Sequence, residues 1–409
     1  MDSETPELDT LKKLYPKALP YHAGGKVAVF PRKRLRSIKD LGLAYTPGVA
    51  VPCKEIEAHP LSAYDYTSKS NLVAVISNGT AVLGLGDIGA MASKPVMEGK
   101  AILFKTFADV DAFDIEINEK DVDKFVQIVK AISPTFGGIN LEDIKSPECF
   151  EIERRLIEEL DIPVMHDDQH GTAIISTAAI INALYLVNKK VSDVKVVVFG
   201  AGAAAVACAK MYKALGVRKV VMFDSKGAIT ADRKDLNALK KEFICEGHYP
   251  TYKDALKGAD VILGLSKGNL LTPEDIMGMN SDPLIFALSN PTPEIMPDIV
   301  KKARPDAIIA TGRSDFPNQI NNVLGFPYIF KGALKVRASK INEEMKFAAA
   351  HAIAKLAREP ITSKLEALLK QKMSFGKDYI LPSAFDERLD AVVSQAVADA
   401  AVKSGVARI

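Results

Sequence analysis

Cysteine is scarce in this chain of 409 residues. The four that occur, Cys53, Cys149, Cys208 and Cys245, are scattered and have no metal-binding spacing. That excludes a cysteine metal site and fits a reducing compartment. An excess of one charge is also missing. Lys+Arg number 53 against 51 Asp+Glu, a net charge of +2, which gives no electrostatic footprint for nucleic acid. The short basic run "PRKRLR" (31–36) reads as a solvated face. There is no long apolar run. The most apolar region, around 72–92, is interrupted by Asn78, Thr80 and Asp87, so a membrane span is not expected. Short repeats and low-complexity linkers are absent too. The first residues, "MDSETPELDTLKK", are polar and acidic, unlike a signal or transit peptide. These absences point to a cytoplasmic protein without nucleic-acid or membrane partners. With 48% hydrophobic residues, the chain can bury large cores, and its length suits two or three domains.

The second half has a clear rhythm. "KVVVFG" (195–200), "KVVMFD" (219–224), "DVILGL" (260–265), "PLIFALS" (283–289) and "AIIATG" (307–312) are nearly all apolar. Strands of a parallel sheet covered on both faces read this way. Helical stretches alternate with them at 203–215, at 236–246 and after Thr272, where "TPED" is a helix start. This is the pattern of a doubly wound α/β domain. The first half reads as a separate α/β domain. Strands are expected at 71–77 and 101–108, and helices at 121–132 and 148–160. Two long helices, 341–357 and 385–405, close the chain. The expected division is 1–163 and 164–409.

Two glycine-rich stretches compete for a nucleotide, "GLGDIG" (84–89) and "GAGAAA" (200–205). The second directly follows a strand and opens a helix. Gly200 permits the tight turn, Gly202 lets the backbone approach a pyrophosphate with Ala203 beginning the helix, and Ala205 allows close packing. Asp224 closes the next strand, where a dinucleotide fold keeps its ribose-binding acid. That acid favours NAD, whereas the nearby Lys226 could meet the 2′-phosphate of NADP, so either cofactor is expected. In the first stretch Asp87 would repel a pyrophosphate, and it reads as a structural turn.

"PVMHDDQHGTAIISTAAIINAL" (163–184) packs two imidazoles and two carboxylates against the start of an apolar helix. Capping would account for one acid. His166 and His170 have an i, i+4 spacing, but the residue after His166 is not the Glu of a zinc protease motif. Gly171 suggests that the helix proper begins after His170. The third reading is a hard-metal site, which needs further carboxylates. "FGGINLEDIKSPE" (136–148) offers Glu142 and Asp143. Neighbours in a strand point to opposite faces, so both reach one ion only where the strand ends in a bend. Carboxylates suit Mg²⁺ or Mn²⁺ rather than zinc.

At this point the chain resembles the malic enzymes in their short microbial form. The motifs carrying the likeness are "YTPGVA" (45–50), the segment 77–117 around "GLGDIG", "GGINLEDI" (137–144), "HDDQHGTAI" (166–174), "ALSNPTPE" (287–294) and 310–334. The resemblance implies oxidative decarboxylation of L-malate to pyruvate and CO₂ with reduction of NAD or NADP. It makes Tyr45 the acid that protonates the enol and Lys100 the general base. Glu142, Asp143 and Asp168 become metal ligands, and Asp167 orients the site. Asn290 and Asn322 hold substrate carboxylates, with Asn290 also beside the cofactor. Large eukaryotic members carry a substrate-gripping arginine where this chain has Thr80, four residues before "GLGDIG". A lysine can act as a base only if neutral, so its pKa must be lowered. A malolactic-type lyase or a metal-free amino-acid dehydrogenase would share parts of this site. The arm 1–45 has apolar residues but no core of its own, which suggests a homodimer or larger assembly.

Overall fold

A computed structural model describes residues 8–82 and 85–409. The start of the arm and Gly84 of the first glycine-rich stretch lie outside the described residues. Two parallel sheets organise the rest. The first contains β1 (Leu72–Ser77), β2 (Asp111–Glu116), β3 (Gly138–Leu141) and β4 (Val164–His166) in the order β2-β1-β3-β4. Every residue of β1 is buried, as a strand between two paired neighbours with covered faces must be. The crossovers are α1 (Ala90–Ala108), α2 (Val122–Ile132) and α3 (Glu148–Glu159). Asp121 caps α2 by accepting from the Lys124 N–H.

The strand expected at 101–108 is instead the second half of α1. Met97, Ala101, Phe104 and Ala108 are buried at intervals of four, three and four residues, the stripe of a helix and not the alternation of a strand. β4 pairs with β3 in the register Ile139↔Val164, so the first sheet extends three residues past position 163.

α4 (Asp167–Leu186) leaves β4 without a break. It starts four residues earlier than Gly171 suggested. Gly171 does not begin this helix; it makes room within it. A Cβ there would lie 2.2 Å from Asp167 Oδ1 and 2.7 Å from Asn322 Cγ.

The second sheet contains β5 (Lys195–Phe199), β6 (Lys219–Asp224), β7 (Gly227–Ala228), β8 (Val261–Gly264), β9 (Leu284–Ala287) and β10 (Ile308–Thr311). Its order is β10-β9-β8-β5-β6-β7, parallel except for the antiparallel edge β7. The order reverses between β5 and β8, the switch point where doubly wound sheets hold ligands. α5 (Ala203–Leu215) follows β5. Of the helix expected at 236–246, only Ala238–Lys241 is helical. The chain leaves it to bury Phe243 and to bond the Cys245 N–H to Ile229 O at 3.0 Å.

The closing helices are α6 (Phe326–Lys335), α7 (Glu343–Arg358) and α8 (Arg388–Lys403). They do not belong to the second sheet alone. Phe104 of α1 stacks edge-on against Phe326 and Phe330 of α6, with centroids 4.8 and 5.5 Å apart. A Cβ on Gly138 of β3 would come 3.0 Å from the Phe330 ring. One hydrophobic cluster therefore runs through both halves. Among the described residues no helix is long and apolar enough to cross a membrane.

Gly332 lets α6 and α8 touch, because a Cβ there would lie 2.5 Å from Ser394 O and 2.8 Å from Val397 Cβ. Gly332→Ala should destabilise the protein by about 1–3 kcal/mol, the usual cost of overpacking. An unchanged thermal unfolding midpoint would show that the two helices can separate freely.

Candidate active site

The site forms where β3 and β4 end. β3 stops at Leu141, and Asp143 takes a left-handed conformation with φ 52°. The chain thus bends where two adjacent carboxylates must face one point. Glu142 is buried. Its Oε2 accepts from Asn140 Nδ2 at 2.8 Å, and its Oε1 lies 3.0 Å from Lys100 Nζ. Asp168 arrives from the first turn of α4, and its Oδ2 accepts the Asp143 N–H at 2.8 Å. Glu142, Asp143 and Asp168 each offer a carboxylate oxygen within 4.8 Å of the others. Burial pushes the Glu142 carboxyl well above its ordinary value; Lys100 opposes this, and the neighbouring acids reinforce it. Three oxygen donors that repel one another, with Asp168 partly open to solvent, suit a hard divalent cation. Among the described residues, Asp167 Oδ1 and Asn140 Oδ1, both buried, have no hydrogen-bond partner, so the pocket also retains unused acceptors.

Lys100 comes from α1. Its Nζ donates to Asp167 Oδ2 at 2.7 Å and sits 4.3 Å from the Phe326 ring centroid. Asn322 holds the same Asp167 oxygen at 3.0 Å, and its own Oδ1 accepts from Thr172 Oγ1 at 3.1 Å. Burial disfavours the Lys100 charge, but Asp167 and Glu142 outweigh burial and hold the ammonium well above the ordinary lysine value. In this arrangement the shift is opposite to the lowering expected of a base.

The structure thus brings together Lys100, Glu142, Asp143, Asp167, Asp168 and Asn322. Tyr45 stands apart. It ends the helix Ile38–Ala44, is 68% exposed, and makes no side-chain hydrogen bond among the described residues. Asn290 lies on the loop after β9 against Gly312, whose Cβ would be 2.9 Å from Asn290 Nδ2. It makes no hydrogen bond to the acidic group among the described residues. In the first glycine-rich stretch, Gly86 and Gly89 have φ of 78° and 82°. Asp87 pairs with Lys120 at 2.7 Å. The stretch turns the chain into α1, which carries Lys100.

The second glycine-rich stretch sits at the switch point. Gly200 has φ 112°, and a Cβ would lie 2.4 Å from Leu265 O. Gly202 precedes α5 with open space before it, Ala203 is its first residue, and Ala205 is fully buried. The helix N-terminus is therefore accessible to an anion. Asp224 ends β6, but its carboxylate is occupied. Oδ1 accepts from Arg233 Nη1 at 2.8 Å and from the Lys226 N–H at 2.9 Å. Oδ2 accepts from Arg233 Nη2 at 2.9 Å and Lys240 Nζ at 2.7 Å. Burial works against its charge, yet the bonds from Arg233 and Lys240 hold it well below the usual carboxylate range. The Lys226 ammonium itself pairs with Asp235 at 2.9 Å.

Sequence reasoning missed Arg233 and Lys240. It also missed Glu153, a buried carboxylate on α3 that bonds to His166, Gln169 and His170 around the two aspartates. A signal for Glu153 exists. Cys149, Ile152, Glu153 and Leu156 form one buried stripe, so an acid falls on the core face of an amphipathic helix. Burial would push its carboxyl up; His170 and Lys346 override burial and hold it down to about 2.

Comparison with known proteins gives matches along most of the chain. Residues 25–157 match the family model "Malic enzyme, N-terminal domain", and residues 169–370 match "Malic enzyme, NAD binding domain". The NADP-dependent malic enzyme of Escherichia coli is 57% identical over 95% of this chain and 52% of its own length. An NAD-dependent malic enzyme of Rhizobium meliloti is 54% identical over 95% of this chain and 51% of its own length. The chain therefore spans about half the length of these two relatives. The crystal structure of malic enzyme from Pyrococcus horikoshii superposes with a TM-score of 0.89 at 47% identity, covering 97% of this chain and 92% of that one.

Removing one oxygen donor should separate the two sites. Asp168→Ala should abolish saturable Mn²⁺ binding in titration calorimetry while dinucleotide binding at the Gly200–Gly202 turn persists. Undiminished Mn²⁺ binding would remove Asp168 from the cation site.

Proposed function

The chain belongs to the malic enzyme family, and from that membership we propose that it oxidises L-malate to pyruvate and CO₂ with reduction of NAD(P)⁺, aided by Mg²⁺ or Mn²⁺. The observation that carries this reading is the convergence of Lys100 with the carboxylates of Glu142, Asp143 and Asp168 at one strand end. A metal-free amino-acid dehydrogenase would leave that trio of acids without a task. A nicotinamide cofactor at the Gly200–Gly202 turn would supply a hydride acceptor, and a divalent cation held by Glu142, Asp143 and Asp168 would supply Lewis-acid polarisation. The chain's own groups handle protons and orientation. Lys100 accepts the C2 hydroxyl proton. Two of the acids that keep it protonated, Glu142 and Asp168, are also cation ligands, so their charge is the part that a bound cation offsets. Asp167 fixes the direction of the lysine, and Asn322 fixes Asp167. Asn290 and Asn322 carry amides suited to substrate carboxylates. Tyr45 supplies the proton to C3 after CO₂ leaves.

Of the two cofactors, NADP fits the observed bonding better. A carboxylate has about four acceptor positions, and Arg233, Lys240 and the Lys226 N–H fill those of Asp224. It has none left for a ribose 2′-OH, while the cationic side chains of Arg233 and Lys240 meet at Asp224. The four cysteines are all free, which agrees with a cytoplasmic setting.

An assay with L-malate and Mn²⁺, following reduced cofactor, pyruvate and lactate, tests the activity. Pyruvate and NADPH should rise together and stop on chelation. Lactate as the main product would favour the malolactic alternative. Arg233→Ala should lower the NADP-to-NAD ratio of kcat/KM by about tenfold or more, the worth of a charge-assisted hydrogen bond. An unchanged ratio would exclude Arg233 from cofactor choice.

We also propose a homodimer or larger assembly formed through the N-terminal arm. The described arm helices Leu8–Leu14, Ala18–His22 and Ile38–Ala44 contain no buried residue, nor does Ala50–Ala58 just after the arm. Leu14, Tyr15, Leu19 and Tyr21 are exposed beside one another in sequence, and a symmetric partner is the commonest cover for such a surface. The exposure of Tyr45 on the same arm accords with a residue that reaches its substrate only after assembly. Deleting residues 1–25 should give a smaller species in light scattering and reduce malate turnover. A full chain that is already monomeric would end this idea.

A further inference from the structure

Glu153 is a carboxylate without solvent, 6% exposed, in the middle of α3 beneath the first turn of α4. Its Oε1 accepts the His166 N–H at 2.7 Å, and its Oε2 accepts from Gln169 Nε2 at 3.2 Å and from His170 Nε2 at 3.0 Å. The far side of His170 meets Lys346 of α7, also buried, whose Nζ lies 3.1 Å from His170 Nδ1 and 2.8 Å from Glu343 Oε1. The same Nζ lies 3.5 Å from His170 Nε2. The chain of bonds runs from Lys346 through His170 to Glu153 and ends on the backbone of His166.

His166, Gln169 and His170 flank Asp167 and Asp168 on both sides. His166 is the N-cap of α4 and provides no side-chain cap. The anchoring anion comes instead from another helix, at the end where the helix dipole favours negative charge. None of the recorded bonds of Glu153 reaches the cation ligands. It acts on the turn that bears them.

We propose that Glu153 is a positioning residue, which through His166, Gln169 and the Lys346–His170 pair fixes the turn holding Asp167 and Asp168 and so sets the affinity for the divalent cation. The inference rests on the cation reading given above. Groups that orient metal ligands in this manner typically change metal affinity by about 10–100-fold when removed.

The test measures Mn²⁺ binding by titration calorimetry, without substrate, alongside dinucleotide binding and thermal unfolding. Glu153→Gln should raise the Mn²⁺ Kd by about 10–100-fold and leave the dinucleotide Kd unchanged. Lys346→Met, which touches neither aspartate, should shift the Mn²⁺ Kd in the same direction by less. It carries the test if Glu153→Gln does not fold. A third variant separates positioning from mere stability. Asn182 is fully buried on the same helix, bonded to Ala354 O, Ile380 O and Arg358, and lies about four turns from the aspartates. Asn182→Ala should lower the unfolding temperature without moving the Mn²⁺ Kd. Unchanged Mn²⁺ affinity in both Glu153→Gln and Lys346→Met would overturn the proposal, as would an equal shift in Asn182→Ala. A parent protein that binds no Mn²⁺ would instead defeat the cation reading, and this inference with it.

Discussion

The buried ion pair between Lys100 and Asp167 is the constraint on which the rest of the centre depends. Lys100 belongs to a helix of the first sheet, and Asp167 begins the helix that leads into the second. Such a pair adds little net stability, because both charges must be stripped of water; removing one partner, however, leaves an uncompensated charge and is costly. Neighbours accordingly converge on it. Asn322 bonds the shared oxygen, Glu142 takes a second contact with the ammonium, and Phe326 lies under it. Asn322 and Phe326 share one stretch of chain and Glu142 lies on another, so together with Lys100 and Asp167 four segments meet at one point.

Much of the second sheet was legible because its strands are short, almost purely apolar runs separated by turn residues and longer helical stretches. The first half was harder. "AILFKTFA" has four aromatic or β-branched residues among its eight, which favours a strand locally, yet Met97 and Phe104 both face the core at a helical interval. Local propensity lost to tertiary packing there. Gly171 misled for a related reason. A glycine in a helical pattern suggests an end, but here it permits the close approach of Asp167 and Asn322 within the helix.

At the site, acids adjacent in sequence were visible and do lie together. What could not be read was their electrostatic company. The sequence names Lys100 as a base, but only the fold shows that Asp167 and Glu142 surround it. Asp224 is a similar case. Its position at a strand end is legible, whereas its capture by Arg233 and Lys240, nine and sixteen residues on, depends on how the following loop returns. Glu153 shows the converse, since its place on a buried stripe can be read and its partners cannot.

The packing of α6 across both halves bears on the order in which the protein acquires its shape during synthesis. Phe104 and Gly138, from the first sheet, rest on Phe326 and Phe330, roughly two hundred residues later. A nascent chain emerging from the ribosome with only its first sheet complete would therefore leave the Phe104 face bare until residues 326–330 arrived. Contacts so distant in sequence are slow to form, and exposed apolar surface in the interval invites aggregation. The first half is thus a unit by its hydrogen bonding but not by its core, and it depends on α6 for closure.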